Sequence, residues 1–140
     1  MANQPYVTSN TQDRPRPLKF VNGAEVSRSL VVYASTVSLD DDSRRLVAGG
    51  SLLCKITSGL GTDKYGPYSK TASDGRESLT EGAAVITWRG HDVTLMDKGI
   101  EGLFAMCVFD KSELTMNGVS LHGTSLTSLK AAFPTCSFDD

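Results

Sequence analysis

Two histidines and three cysteines are the residues of this chain best suited to nucleophilic or metal chemistry. A serine or cysteine nucleophile requires an imidazole base beside it. His91 lies in the sequence RGHD and His122 lies in SLHGTS, and neither accompanies a G-x-S-x-G nucleophile motif. Both histidines are therefore predicted to occupy surface or capping positions, and no enzymatic activity is expected.

The three cysteines, Cys54, Cys107 and Cys136, are far apart and lack the CxxC spacing that is typical of zinc sites. Cys54 and Cys107 lie among apolar residues, in LLCKI and AMCVF. A free cysteine in such surroundings behaves as a small buried hydrophobic residue. The sequence therefore predicts buried free thiols in a reducing compartment, rather than a disulfide framework or a metal site.

Two further stretches invite a ligand-binding interpretation. The run Asp40–Asp42 lacks the alternating acids, the glycine and the terminal glutamate of an EF-hand, so a solvated turn is predicted there. The stretch GLGTDKYG has neither the G-x-G-x-x-G pattern nor the Lys-Ser/Thr ending of a P-loop. The sequence therefore predicts no cofactor and no metal.

The bulk composition is that of one modest domain. The chain has 140 residues, of which 39% are apolar, and its formal net charge is -2. A protein that binds nucleic acid through bulk electrostatics is normally basic, so no nucleic-acid partner is expected. No apolar run reaches the roughly 18 residues of a membrane-spanning helix, and the N-terminus lacks the apolar region of a secretory signal.

The elements that must position these residues are mostly strands. Valine, tyrosine and alternating small residues favour strands from Leu30 onward. Predicted strands lie within 29–40, 46–50, 51–59, 84–88, 93–96 and 100–110, with a hairpin at Asn117-Gly118. Residues 124–133 predict a helix that Thr124 or Ser125 caps and Pro134 ends. The fold class is therefore mainly β (α+β): a small β-rich domain, residues 29–140, with a short C-terminal helix.

Residues 1–28 form a segment of different character. They are polar, contain Pro5, Pro15 and Pro17, and show no sustained periodicity. Prolines favour extended geometry, and a polar segment buries too little surface to offset its ordering entropy. The sequence predicts an extended N-terminal arm that stays mobile until a partner holds it.

The stretch KYGPYSKTASDGRES, residues 64–78, lies within a loop predicted over 59–78. Loops of this length are uncommon in compact domains and are usually functional. Tyr65 and Tyr68 offer rigid contact area around a Gly-Pro turn, and a turn at Asp74-Gly75 could aim Arg76 at a neighbour. Two interpretations remain open, namely an interface loop and a loop that folds only onto its own subunit.

Two stretches resemble the head-decoration proteins of tailed bacteriophages, the lambda-like capsid-stabilising family. The first runs through Ser43, Arg44, Arg45, Leu46, Val47 and Gly49. The second combines KYGPY, 64–68, with ASDGR, 72–76. The similarity spans about residues 30–110, whereas residues 113–140 match nothing in the family pattern.

This resemblance implies a β-rich domain that sits as a homotrimer on the outer surface of the expanded capsid. It implies the major capsid protein as a partner, reinforcement against the pressure of packaged DNA, and synthesis in the host cytoplasm. An arm that adds a strand to capsid elements would bind through β-augmentation. The expected capsid-binding residues are Arg14, Pro15, Arg16, Pro17, Lys19, Phe20, Val21 and Val26. The expected trimer or capsid interface residues are Tyr65, Pro67, Tyr68, Arg76 and Trp88.

Two other functions remain as alternatives. In a surface adhesion or carbohydrate-binding module, Tyr65, Tyr68 and Trp88 would cluster at the surface beside Asp and Asn side chains. A small hydrolase would need His91 or His122 within hydrogen-bond reach of a Ser, Cys or Asp in a cleft. The positions of these side chains therefore separate the three possibilities.

Overall fold

The fold is known from a computed structural model, which describes residues 17–116, 119–120 and 126–139. The described residues form short strands and one α-helix. The strands are β1 (Leu18–Phe20), β2 (Val26–Val32), β3 (Leu46–Val47), β4 (Leu52–Lys55), β5 (Tyr65–Pro67), β6 (Ala84–Thr87), β7 (His91–Asp92), β8 (Lys98–Ala105), β9 (Val108–Asp110), β10 (Thr115–Met116), β11 (Val119–Ser120) and β12 (Ser137–Asp139). The helix, α1, is Leu126–Ala132. This architecture confirms the mainly β prediction with a short C-terminal helix.

A closed barrel in the order β2-β5-β4-β6-β8 forms the centre of the molecule. Strands β2 and β8 pair antiparallel along their whole length, from Val26 opposite Ala105 to Val32 opposite Lys98. The parallel contact of β2 with β5 places Val32 opposite Tyr65 and closes the barrel. Closure leaves no free edge among these strands, and side chains fill a barrel of this size.

The strands β4 and β6 are buried on both faces. Their alternate side chains point into the barrel and out to a second layer, so all four residues of β6 are buried. One apolar core fills the barrel. Its buried members include Leu30, Val32, Leu53, Tyr65, Val85 and Ile100.

A second apolar core lies between the outer faces of β4, β6 and β8 and the C-terminal elements. There β9 is the middle strand of a small sheet, with β1 on one side and β12 on the other. The rings of Phe109, Phe133 and Phe138 pack with centroid separations of 5.3 to 6.0 Å. The C-terminal segment therefore belongs to the core of the domain.

Several predicted elements are confirmed. Helix α1 lies within the predicted range and Pro134 follows it, while Thr124 and Ser125 lie outside the described residues. Strands β10 and β11 pair as the predicted hairpin, and the turn residues Asn117-Gly118 also lie outside the described residues. The acidic turn is as expected, because the Asp40 carboxylate accepts backbone N–H bonds from Asp42 and Arg44, each at 2.9 Å.

The predicted boundary between arm and domain, at residue 28, falls inside β2. Strand β1 pairs with β9, and the N–H of Asp110 donates to the Pro17 carbonyl oxygen at 2.7 Å. The pairing supplies hydrogen bonds and packing that residues 17–28 cannot form alone. The folded domain therefore includes this segment from Pro17 onward.

Other boundaries are corrected by the structure. The loop predicted over 59–78 contains β5, RGHD contains β7, and the strand predicted over 93–96 is absent because residues 94–96 bend. The strand predicted over 100–110 breaks at Met106, whose φ is 59°. Each difference arises from a long-range pairing or a backbone bend that local composition does not encode.

Candidate functional site

The segment 64–78, which the sequence marks as a candidate interface, folds onto its own subunit. Tyr65 is 5% exposed and Tyr68 is 8% exposed, while Pro67 is buried in β5. The predicted contact area of these three residues is therefore not on the surface of the subunit. The structure corresponds to the second of the two interpretations left open by the sequence.

Backbone hydrogen bonds hold this segment at three places. The Tyr33 N–H donates to the Tyr65 carbonyl oxygen at 2.8 Å, and the Tyr68 N–H donates to the Leu52 carbonyl oxygen at 3.0 Å. The N–H of Thr57 donates to the Asp74 carbonyl oxygen at 2.7 Å. These bonds join the segment to β2, β4 and the chain after β4.

Arg76 is turned toward its own segment as well. Its Nε lies 3.1 Å from both carboxylate oxygens of Asp74, and its Nη1 donates to the Pro67 carbonyl oxygen at 3.5 Å. The side chain is 20% exposed. The guanidinium group of Arg76 is thus engaged within its own subunit, and its contact with a neighbouring subunit stays a prediction.

Trp88, the fifth predicted interface residue, is different, because 42% of it is exposed. It lines an open groove of about 790 Å³, and the other residues lining it include Val31, Arg89, His91 and Glu101. Its contact with a partner stays a prediction. The three aromatic residues are dispersed, with two in the core and one in this groove, and this dispersal counts against a carbohydrate-stacking cluster.

His91 in this groove has no activated nucleophile beside it. Ser29 also lines the groove, but the His91 side chain makes no hydrogen bond to Ser29 or to any other described residue. Burial lowers the pKa of His91, and the positive charges of Lys98 and Arg89 lower it further. Nucleophilic catalysis needs a hydrogen bond between the base and the nucleophile, and the described residues give His91 none. His122 lies outside the described residues.

The most exposed large apolar side chains lie elsewhere, on two loops beside the barrel. Leu60 is 93% exposed on the loop after β4, and Leu95 and Met96 are 95% and 70% exposed on the loop before β8. We call these three residues the apolar rim. A contiguous apolar patch on a protein surface often marks a contact site for another molecule, whereas single exposed apolar residues are common.

A salt bridge joins the two loops of the apolar rim. Lys64 Nζ lies 2.6 Å from Asp97 Oδ2, and Asp97 Oδ1 accepts the Ala34 N–H at 2.8 Å. The Lys64 hydrogen bond is the main cause of a lowered pKa at Asp97, and the Ala34 N–H adds to it. Both loops are thus fastened to the chain that follows β2.

The ring of Tyr33 supports the loop that carries Leu60. The ammonium group of Lys64 lies 5.4 Å from the centroid of this ring. Gly61 packs so closely that an added Cβ would lie 2.4 Å from Tyr33 Cδ2. The backbone beside Leu60 is therefore held in place, while the Leu60 side chain is exposed to solvent.

The predicted capsid-binding residues lie at the N-terminal end of the described chain. Arg14, Pro15 and Arg16 lie outside the described residues. Pro17 is buried, Lys19 is exposed, and Lys19 and Phe20 belong to β1. Val21 and Val26 are 68% and 40% exposed on either side of a turn. This turn is closed by the Glu25 carboxylate, which accepts the N–H groups of Asn22 and Gly23 at 2.7 and 3.1 Å.

Sequence reasoning missed the apolar rim. The only local signal is a single leucine between glycines at 59–61 and an apolar pair before Asp97. Such isolated apolar residues are common in cores and on surfaces alike. Only the placement of the two loops distinguishes a contact surface from a core position.

Comparisons with protein-family models, with curated proteins and with solved structures each found no match to this chain. Within the described ranges, no helix is long and apolar enough to cross a bilayer. No three His, Cys, Asp or Glu side chains in that part of the chain form a group that could hold a metal ion.

Proposed function

We propose that this protein is a capsid decoration protein, which binds as trimers to the outer surface of an expanded phage head and stabilises it against internal DNA pressure. It acts by attachment and has no enzymatic activity. The main support for the proposal is the apolar rim. It consists of three exposed large apolar side chains on two loops that a salt bridge joins. The resemblance at 43–49 and 64–76 supplies the identity of the partner, the major capsid protein.

The Lys64–Asp97 salt bridge, which joins the two loops of the apolar rim, favours binding. Loops that are already held by Lys64 and Asp97 lose little conformational freedom on docking, so less of the interaction free energy is spent on ordering. Complete burial of one leucine side chain contributes about 1.5–3 kcal/mol. Three such side chains per subunit, repeated in a trimer, would raise the affinity through effective concentration.

The N-terminal arm provides a second contact in this proposal. Residues 1–16 precede β1, which is fixed to β9, so the arm starts from a defined point on the domain. The predicted contact residues Arg14, Pro15 and Arg16 are close to that point in the sequence. An extended arm can add a strand to a sheet edge of the shell by β-augmentation.

Co-sedimentation with undecorated mature capsids of the same phage tests the proposal. The full chain should bind saturably, whereas a variant with Leu60, Leu95 and Met96 changed to Ser should bind at least tenfold more weakly. A variant lacking residues 2–16 measures the contribution of the arm without cutting into β1.

Met106→Ser is the matched control, because Met106 is 48% exposed. The eight residues of β8 separate it from the loop that carries Leu95, which is about 25 Å at 3.4 Å per residue. It should bind like the full chain. Absence of binding by the full chain would overturn the proposal and direct attention to the Trp88 groove.

A further inference from the structure

Cys107 and Cys136 lie side by side at the point where β9 and β12 begin. These strands run parallel with Val108 opposite Ser137, and the Ser137 N–H donates to the Cys107 carbonyl oxygen at 3.0 Å. The same register, extended by one residue, puts the two cysteines opposite each other. Adjacent strands are about 4.8 Å apart. That spacing lies within the Cα separation of roughly 4.4–6.8 Å that a disulfide requires.

The two thiols are neighbours, because residues opposite each other on adjacent strands point to the same face of the sheet. The thiol of Cys107 donates to the Ala105 carbonyl oxygen at 3.2 Å. Both cysteines are free and buried. The strand register therefore makes these two cysteines neighbours, within the backbone separation that a disulfide can span.

The backbone bends sharply at Met106, next to the two cysteines. Met106 has a φ of 59°, an uncommon conformation for a residue with a side chain, and its N–H donates to Thr135 Oγ1 at 3.0 Å. The neighbouring Cys107 thiol is the largest cause of a lowered pKa at Cys136, and the nearby N–H groups of Cys107 and Met106 and the Thr135 hydroxyl lower this pKa further. The same pairing raises the pKa of Cys107.

The third cysteine provides an internal contrast. Cys54 is completely buried in β4, and burial, with the charge of Glu77, raises its pKa to about 12. Cys136 is 9% exposed and Cys107 is 1% exposed. Of the three cysteines, Cys136 has the most access for a reagent, and its pKa is lowered rather than raised.

We propose that Cys136 and Cys107 form a thiol–disulfide exchange site, in which Cys136 attacks a low-molecular-weight disulfide and Cys107 resolves the product. In the first step the Cys136 thiolate forms a bond to one sulfur of glutathione disulfide, whose S–S bond breaks, and one glutathione leaves as its thiolate. In the second step Cys107 gives up its proton to that thiolate and attacks the Cys136 sulfur. The second glutathione leaves, and two electrons have passed from the protein to the reagent.

The resulting disulfide would join the residues that precede β9 and β12, and Cys107 directly follows Met106 in the chain. It would close a loop that contains β10, β11 and α1, and so fasten the C-terminal segment to the end of β8. A cross-link of this kind restricts the unfolded chain, so the oxidised protein should unfold at a higher denaturant concentration. This site functions independently of the proposed capsid attachment.

The test uses the full wild-type chain in buffers of increasing glutathione disulfide to glutathione ratio. Free thiols are blocked by alkylation, and peptide mapping then locates each modification. We expect a Cys107–Cys136 bridge with the loss of two hydrogen atoms, while Cys54 is alkylated only after unfolding. A folded protein that keeps all three thiols free in the most oxidising buffer, or that forms a bridge through Cys54, would overturn the proposal.

Single substitutions separate the two roles. C107S should stop after the first step and carry glutathione on Cys136, whereas C136S should carry none on Cys107 over the same time. C54S is the matched control, because it replaces an equally buried thiol and should still form the bridge. Equal glutathione incorporation in C107S and C136S would contradict the assignment of roles. The wild-type mapping remains decisive if either variant fails to give a native circular dichroism spectrum.

Discussion

The segment 64–78 and the apolar rim make an instructive comparison, because the Lys64–Asp97 salt bridge links them and their surroundings are opposite. The first contains the tyrosines, the Gly-Pro turn and the arginine that are typical of a contact surface, yet Tyr65 and Tyr68 are in the core. The second contains only isolated apolar residues, yet Leu60 and Leu95 are almost fully exposed. The chemical character of a side chain thus did not decide whether it faces solvent.

The reason lies in how the barrel closes. Strand β5 is inserted between β2 and β4, so its tyrosine must fill the interior opposite Val32. The loops that connect these strands have no such space to fill. Their position is set by the Lys64–Asp97 pair and by the packing of Gly61 on Tyr33.

The largest effect on stability is expected from truncation within the buried segment. Tyr68→Ala should lower the free energy of unfolding by about 3–5 kcal/mol, because it leaves a cavity in a well-packed core. Denaturant unfolding measures this loss. Tyr68→Phe is the control and should be nearly neutral, since the Tyr68 hydroxyl makes no hydrogen bond with the described residues. If Tyr68→Ala is as stable as wild type, the assignment of this residue to the core is wrong.

A glycine in the same segment should give the next largest effect. Gly75 has a φ of +113°, and a Cβ there would lie 2.7 Å from the Thr57 nitrogen. Gly75→Ala should therefore cost about 2–4 kcal/mol in thermal or denaturant unfolding, from backbone strain and steric overlap together.

Gly59→Ala is the matched control for this substitution. Gly59 has a φ of +89°, but nothing lies within 4 Å of its added Cβ, so only backbone strain applies. Equal destabilisation by the two substitutions would show that the contact with Thr57 has no effect on stability.

The Lys64–Asp97 salt bridge should contribute less to the free energy of unfolding than the two features above. Asp97→Asn should lower the free energy of unfolding by about 1 kcal/mol at neutral pH, because the salt bridge to Lys64 is partly exposed. Asp63→Asn is the control, since its carboxylate is 81% exposed and 3.7 Å from Lys55. Its effect should be smaller than that of Asp97→Asn.

The contribution of Asp97 should also depend on pH. The folded protein lowers the pKa of Asp97, chiefly through the Lys64 hydrogen bond, so the unfolded state binds the proton more tightly. The stabilisation is therefore complete above the unfolded pKa and disappears as the pH falls through the folded pKa. Parallel unfolding curves should show the difference between wild type and Asp97→Asn shrinking in acid, and a difference that grows would contradict this assignment.

The smallest effect on stability is expected at the apolar rim itself. Leu95→Ser should change the free energy of unfolding by less than about 0.5 kcal/mol, because the side chain makes few contacts within the subunit. Denaturant unfolding checks this value. A loss of several kcal/mol would mean that Leu95 is packed rather than displayed, and would remove the contrast with Tyr68.

The local parts of the fold could be predicted because their signals lie within a few residues. Helix α1 follows from the leucine spacing and Pro134, and the β10–β11 hairpin follows from Asn117-Gly118. Strand β5 could not be predicted in this way, since glycine and proline in three residues disfavour a strand in isolation. Its partners are Val32 in β2 and Leu53–Lys55 in β4, which lie outside the local sequence.

The sequence by itself determined the β-rich class, the burial of Cys54 and Cys107 and the acidic turn at Asp40, because composition and short-range hydrogen bonding are sufficient for these features. Only the tertiary structure decided that Tyr65 and Tyr68 are internal, that Leu60 and Leu95 are exposed, and that Cys107 and Cys136 lie opposite each other. Each of these depends on strands or loops that are distant in the chain. Their positions are set by barrel closure and strand register, which no local pattern of residues specifies.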